Sequence, residues 1–285
     1  MRKTLFSGIA ACLLATAATA AEQSPSVIWT VGQADRSASE FALAPDRFRD
    51  FLANDFGYED KYFLVGHSVP AADFPYVLPG PADTWGGTWP TSGWRTHQVN
   101  ILFGLKEIPS DGTCTLVVDL LDYAKNFLPL VKVSVNTQDA KFQLDAPGLS
   151  VADQRKPNQM EKIVDTLSIT GNLAKATPRR LEIPIHPGVL KAGGNEVTIT
   201  VLEGSWILFD RVSLEGPAGT NVEQPQQLFI RNIEAAPYEL ADGKRRVQPL
   251  LVDLEWLEGA PALSVELDGK EILNQRIETG RYQLE

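Results

Sequence analysis

The stretch Leu190–Glu215, LKAGGNEVTITVLEGSWILFDRVSLE, limits the fold more than any other part of the chain. Val197, Ile199 and Val201 alternate with Thr198 and Thr200, which is the two-residue period of a half-buried strand. Gly193-Gly194-Asn195 reads as turn chemistry ahead of that strand, and Gly204-Ser205 breaks it. Trp206-Ile207-Leu208-Phe209 then runs apolar on both faces until Asp210 interrupts it. A strand wet on one face followed by a strand dry on both is the pattern of an antiparallel sandwich closing its core.

The same reading extends through the first three quarters of the chain. Strands are predicted at Val27–Val31, His97–Phe103, Thr115–Leu121, Val131–Val135, Leu181–Ile185, Glu196–Leu202 and Trp206–Leu214. Short helices are predicted at Pro45-Asp46-Arg47-Phe48 and over Gln159–Leu167. Gly216 through Pro225 has the composition of a linker. Beyond it, Leu250–Trp256 reads as a strand, and Leu263–Leu267, Asp268-Gly269, Lys270–Leu273 reads as a hairpin on a type I′ turn. The fold class is all-β. The expected organisation is a leader over 1–21, a sandwich over 26–216, a linker over 217–226, and a β-sandwich-like segment over 227–285 that looks truncated.

The leader rests on Arg2 and Lys3, an apolar run from Leu5 to Leu14, and the small-residue exit Ala18-Thr19-Ala20. The apolar run is too short for a membrane span, so the chain is expected to be secreted or periplasmic. Net charge is −10 over 285 residues, and it is more negative still without Arg2 and Lys3. That balance disfavours nucleic-acid backbones as partners. Of the two cysteines, Cys12 falls in the leader, so Cys114 is left without an intrachain partner. Its strand context predicts a small buried hydrophobe.

Chemistry is sparse. His67, His97 and His186 have no metal-ligand spacing, and no Gly-x-Ser-x-Gly elbow or phosphate-binding glycine loop occurs. No catalytic constellation is therefore assigned. The one unusual segment is Trp85-Gly-Gly-Thr-Trp89-Pro-Thr-Ser-Gly-Trp94-Arg95, which holds half of the six tryptophans. Glycine and proline make it a loop, and an exposed indole stacks on the apolar C–H face of a sugar ring. Trp85, Trp89, Trp94 and Arg95 are the candidate carbohydrate contacts; the structural alternative is that the indoles cap the sandwich or pack on a neighbouring domain. Tyr58, Tyr62 and Tyr76 are expected on the same face. Asp35, Glu40 and Asp210 are the candidate ligands of a structural calcium ion, the alternatives being turn capping by Asp35, surface exposure of Glu40 and backbone hydrogen bonding by Asp210 at a strand edge.

Ile28-Trp29-Thr30-Val31-Gly32-Gln33-Ala34-Asp35, followed by Ser39-Glu40-Phe41, resembles the opening of the carbohydrate-binding-like third domain of rhamnogalacturonan lyases. Leu190-Lys-Ala-Gly-Gly-Asn195 with Gly204-Ser-Trp-Ile-Leu-Phe-Asp210 and Leu214-Glu215 is similar to that domain's close. The resemblance implies a jelly roll of the galactose-binding type. It carries over no catalytic residue, because the family's lyase chemistry belongs to a separate domain. Leu267-Asp-Gly-Lys270 and Ile277-Glu-Thr-Gly-Arg281 resemble an immunoglobulin-like β-sandwich that precedes the catalytic part of some α-mannosidase-like glycoside hydrolases. The expectation is a non-catalytic module that contacts a polysaccharide or oligosaccharide and supports a catalytic domain in the same or a neighbouring protein. Its rivals are the leading portion of a polysaccharide lyase or glycoside hydrolase, and a structural spacer.

Overall fold

The computed structural model of the chain describes residues 26–44, 62–83, 98–109, 113–145, 168–186, 188–225, 227–259, 262–276 and 280–284. In chain order the first strands are β1 (Ser26–Gly32), β2 (Tyr62–Leu64), β3 (Val77–Leu78), β4 (Gln98–Leu105), β5 (Cys114–Tyr123) and β6 (Leu130–Val135). They are followed by β7 (Gln138–Gln143), β8 (Arg179–Ile185), β9 (Gly193–Glu203), β10 (Ile207–Gly216) and β11 (Val222–Glu223). The last group is β12 (Leu228–Ala235), β13 (Leu240–Asp242), β14 (Arg245–Val247), β15 (Leu250–Trp256), β16 (Ala262–Leu267), β17 (Lys270–Arg276) and β18 (Gly280–Leu284). All seven strands expected before the linker are present. The two expected short helices and the leader lie outside the described residues.

β1, β10, β5 and β8 form one sheet in that order, with β3 on β10; β11, β4, β9, β6 and β7 form the other, with β2 on β4. The inward residues of both make a single core, including Trp29, Leu116, Val118, Val212 and Leu214 from the first sheet and Ile101, Phe103, Val133 and Ile199 from the second. Trp29 reaches across it, its ring centroid 5.2 Å from that of Phe103. Phe74, fully buried, fills the space beside β10 and meets Phe41, Phe63 and Phe209 at 5.3, 5.8 and 5.1 Å. Cys114 is a core residue, 5% exposed, whose thiol burial pushes up. It packs at Gly216, where a Cβ would sit 2.8 Å from its Sγ.

Asp210 interrupts β10 because it occupies a bulge. Phe209 pairs with Leu120 and Arg211 with Asp119, so Asp210 has no partner on β5. The extra residue resets the in–out alternation. Without it the parity of Val212 and Leu214 would send Asp210 into the core; with it Phe209 goes in instead.

Two readings need correction. Gly193, Gly194 and Asn195 are the start of β9 rather than a turn. The turn chemistry is real but belongs to the Asn195 side chain, which accepts the Lys191 N–H at 2.9 Å and donates to the carbonyls of Lys191 and Gly193 at 2.9 and 3.0 Å. The segment 217–226 is not a free connector either. Val222 and Glu223 pair with Leu105 and Gly104 as an edge strand of the second sheet.

The residues after 226 pack on the outer face of that sheet. β12, β15 and β18 form a three-stranded sheet. Phe229 covers Leu64 and Leu102, which explains why β4 is apolar on both faces. Gly194 allows this approach, since a Cβ there would stand 2.1 Å from the Ile230 carbonyl oxygen. Arg231 joins the two parts, donating to Glu196 at 2.8 Å and to Glu255 at 3.1 Å. Tyr62 donates to the same Glu255, and burial together with that carboxylate pushes its phenol up to about 12. The Asp-Gly hairpin forms as expected between β16 and β17, with φ of 53° at Asp268 and 75° at Gly269.

Replacing Arg231 by Met should therefore destabilise the chain by about 3 kcal/mol, because Glu255 would remain buried without its cation. Urea unfolding measures this, and adding Glu255→Gln should recover part of the loss. In a Cys12→Ser chain, Cys114 should react with a thiol reagent only after denaturation; rapid reaction in buffer would contradict its placement in the core.

Candidate functional site

Residues 84–97, which hold Trp85, Trp89, Trp94 and Arg95, lie outside the described residues, but both of their attachment points are described. On one side, Asp83 is 7% exposed and accepts the Gly80 N–H at 2.8 Å and the Ser205 hydroxyl proton. The Ala82 N–H donates to the Gly204 carbonyl at 2.8 Å. Gly80 has no room for a side chain, since its Cβ would lie 2.5 Å from the Gly204 oxygen. On the other side, Gln98 opens β4 opposite Thr200, near the end of β9. The aromatic segment thus leaves and rejoins the sandwich at the end where β9 turns into β10.

The connection from β5 to β6 shares that end. The Ser205 N–H donates to the Phe127 carbonyl at 2.9 Å, and Gly204, at φ +82°, lies so close to Leu128 that a Cβ would meet its oxygen at 2.3 Å. Lys125 adds a cation there, 2.6 Å from Asp122, whose carboxylate also accepts the Thr177 N–H at 2.9 Å. The break at Gly204-Ser205 therefore ties three loops together through buried backbone and carboxylate bonds.

The structure does not gather Asp35, Glu40 and Asp210 into a cation site. Among the described residues no three His, Cys, Asp or Glu side chains form a group able to hold a metal. Each carboxylate is engaged locally instead. Glu40 accepts the Gln33 N–H at 2.9 Å, Asp35 the Ser37 N–H at 2.9 Å, and Asp210 the Arg36 N–H at 3.1 Å. These bonds fold the segment 33–40 against the bulge in β10. Burial pushes the Asp210 carboxyl up to about 6, with repulsion from Asp119 and Asp35 adding to it and the Arg36 and Ser37 N–H groups opposing.

The tyrosines do not share the face expected of them. Tyr76 is fully buried in the core, and Tyr62 lies under the part of the chain after 226. Tyr58 lies outside the described residues.

At the opposite end of β9, sequence reasoning missed a cleft of about 550 Å³. Its lining includes Gly104, Gly193 and Gly194 together with Glu223, Gln224 and Gln227. Its signal was present in the glutamines of the supposed linker, but only the pairing of β11 with β4 brings them over the glycines.

A carboxyl whose pKa is raised by folding binds its proton more tightly in the folded state. Its stabilising contribution is full below the unfolded value and is lost as pH rises through the folded one. For Asp210 that window runs from 3.8 to about 6. The native chain should gain melting temperature relative to Asp210→Asn as pH is lowered across it; a pH-independent difference would overturn the assignment.

The family model for the CBM-like domain, polysaccharide lyase family 4, domain III, matches residues 27–214. No curated protein is detectably similar in sequence. Among solved structures, a family GH115 4-O-methyl-alpha-glucuronidase with specificity for decorated arabinogalactans aligns at a TM-score of 0.25 and 16% identity. That alignment covers 41% of this chain and 13% of that one. The matched span opens in β1 and closes in β10, the two strands that pair along the first sheet, and on that match the chain belongs to the CBM-like family of polysaccharide lyase family 4 domain III.

Proposed function

We propose that this chain is a secreted, non-catalytic module that contacts a polysaccharide through the segment 84–97 and assists a catalytic domain in the same or a neighbouring protein. The observation that carries the proposal is the family match over 27–214, a carbohydrate-binding-like domain set inside a polysaccharide-degrading family. The attachment of the aromatic segment adds to it. An indole binds a sugar with little entropic loss when its loop is already held, and Asp83 with Ser205 holds this one at its base. Trp85, Trp89 and Trp94 supply stacking faces, and the Arg95 guanidinium supplies donors for hydroxyl oxygens. The leader over 1–21 accounts for export to where polysaccharides are found.

No helix among the described residues is long and apolar enough to cross a membrane. A match to a domain III of a polysaccharide lyase family supports reading this chain as an accessory to catalysis carried elsewhere.

Each indole should contribute about 1 kcal/mol to binding. The triple variant Trp85→Ala, Trp89→Ala, Trp94→Ala should then be retained at least tenfold more weakly by immobilised polysaccharide in affinity electrophoresis, with an unchanged circular dichroism spectrum. Equal retention of native and triple-variant chains would sink the proposal.

A further inference from the structure

The strands after 226 are held on the sandwich by side chains. Among the described residues no ladder joins β12, β15 or β18 to either of its sheets. The apolar part of the contact is small: Leu64, Leu102 and Phe229 are buried together, with Tyr62 and Leu257 half-buried beside them. Relative motion is the ordinary behaviour of two parts of a chain joined through so small an apolar patch. What holds this junction shut must therefore come in large part from its polar groups.

Those groups come from four strands. Arg231 of β12 donates to Glu255 of β15 at 3.1 Å and to Glu196 of β9 at 2.8 Å, and Asp253 of β15 adds a third carboxylate to its surroundings. Tyr62 of β2 donates to Glu255, and Asp73 acts on Tyr62 from the following segment. One guanidinium thus stands among three carboxylates. Glu255 is 4% exposed; its Oε1 accepts from Arg231, while its Oε2 is buried with no hydrogen-bond partner among the described residues. A full charge is poorly solvated there, and a proton on the free oxygen relieves it. Burial accordingly pushes the Glu255 carboxyl above its ordinary value of 4.5, against the opposing pull of Arg231 and Tyr62 and with Asp253 adding to it. A carboxyl raised in this way holds its proton more tightly docked than exposed. Its contribution to docking is full below 4.5 and is lost as pH rises through the docked value.

We infer that the junction is a proton-sensitive latch: the Arg231–Glu255–Tyr62 cluster closes the strands after 226 onto the second sheet when Glu255 takes up a proton and loosens when the proton leaves. Opening parts β12 from Gly194 and bares Leu64 and Leu102. The two parts stay tethered, because β11 remains paired to β4 up to Glu223 and β12 begins at Leu228. The latch involves no saccharide and does not rest on the proposed function.

The test is a distance measurement by double electron–electron resonance on the full chain. Nitroxide labels are placed at Glu182→Cys on β8 and Ile233→Cys on β12, both exposed, in a Cys12→Ser background where Cys114 is buried. At about pH 5 the distance distribution should be narrow; at about pH 8 a broad component should appear, with the undocked fraction at least about threefold larger. Glu255→Gln removes the charge and keeps the shape, so its distribution should be narrow at both pH values. Gly194→Val places a side chain where a Cβ would stand 2.1 Å from the Ile230 carbonyl oxygen, so its distribution should be broad at both. The same distribution at the two pH values in the native chain would overturn the latch. So would a Glu255→Gln chain that still broadens at the higher pH, or a Gly194→Val chain that stays narrow. Each of these results leaves the carbohydrate reading untouched, since no sugar enters the measurement.

Discussion

The pairing of β10 with β1 on one side and β5 on the other is the constraint on which the rest of the sandwich depends. Ser26 lies opposite Gly216, so the sheet closes only when residues 190 positions apart meet. β10 must therefore carry its own register information, and three register shifts along its two partners supply it. On the β1 side the register shifts between Val27 and Trp29; on the β5 side it shifts between Leu208 and Phe209 and again between Phe209 and Arg211. A slip by one residue would expel Phe209, Val212 and Leu214 together and draw Arg211 and Ser213 inward. The Asp210 carboxylate reinforces the bulge by accepting the Arg36 N–H, which fastens the chain leaving β1 to the place where the alternation resets.

Both sheets also have outer faces that are not fully wet, and each deals with this differently. On the first, Asp119 is 7% exposed and is neutralised within the sheet, by Arg180 at 2.6 Å and Arg211 at 3.0 Å. On the second, Leu64 and Leu102 are covered by Phe229 from the later part of the chain. That covering brings Glu196, Glu255 and Tyr62 out of water together, and Arg231 is the cation that makes it tolerable. The glycines belong to the same solution. Gly104 and Gly194 stand where Glu223 and Ile230 cross closest, and any side chain there would hold the later strands off the sheet.

What was legible in the sequence follows from the range of the interactions involved. β6, β8 and β9 alternate cleanly between core and surface, so their period is written in their own residues. The Asp268-Gly269 hairpin was readable because two adjacent residues carry the positive φ values the turn needs. β2, β3 and β11 were missed because each has only two or three residues and is a strand solely by virtue of its partner. β7, QDAKFQ, was missed for another reason: as an edge strand it is exposed or half-exposed at every position and shows no apolar period. Tyr76 looked like a loop residue because Pro75 precedes it and Pro79 follows, yet its carbonyl accepts the Phe209 N–H and the residue is wholly enclosed. The local engagement of Glu40, Asp35 and Asp210 was not legible, because spacing along the chain says nothing of which backbone N–H groups will reach a carboxylate first.

Small residues do different structural work at the two ends of β9. At one end Gly204 and Ser205 draw three loops together, and the Asp83–Ser205 bond fixes the base of the segment carrying the tryptophans. At the other, Gly193 and Gly194 leave space for later strands and for the cleft between them. The strand between is rigid because it is paired on both sides, by β4 and β6, and buries Val197, Ile199 and Val201 in the core. The loops anchored at Gly204-Ser205 and the later strands seated at Gly194 are thus joined through one strand held on both sides.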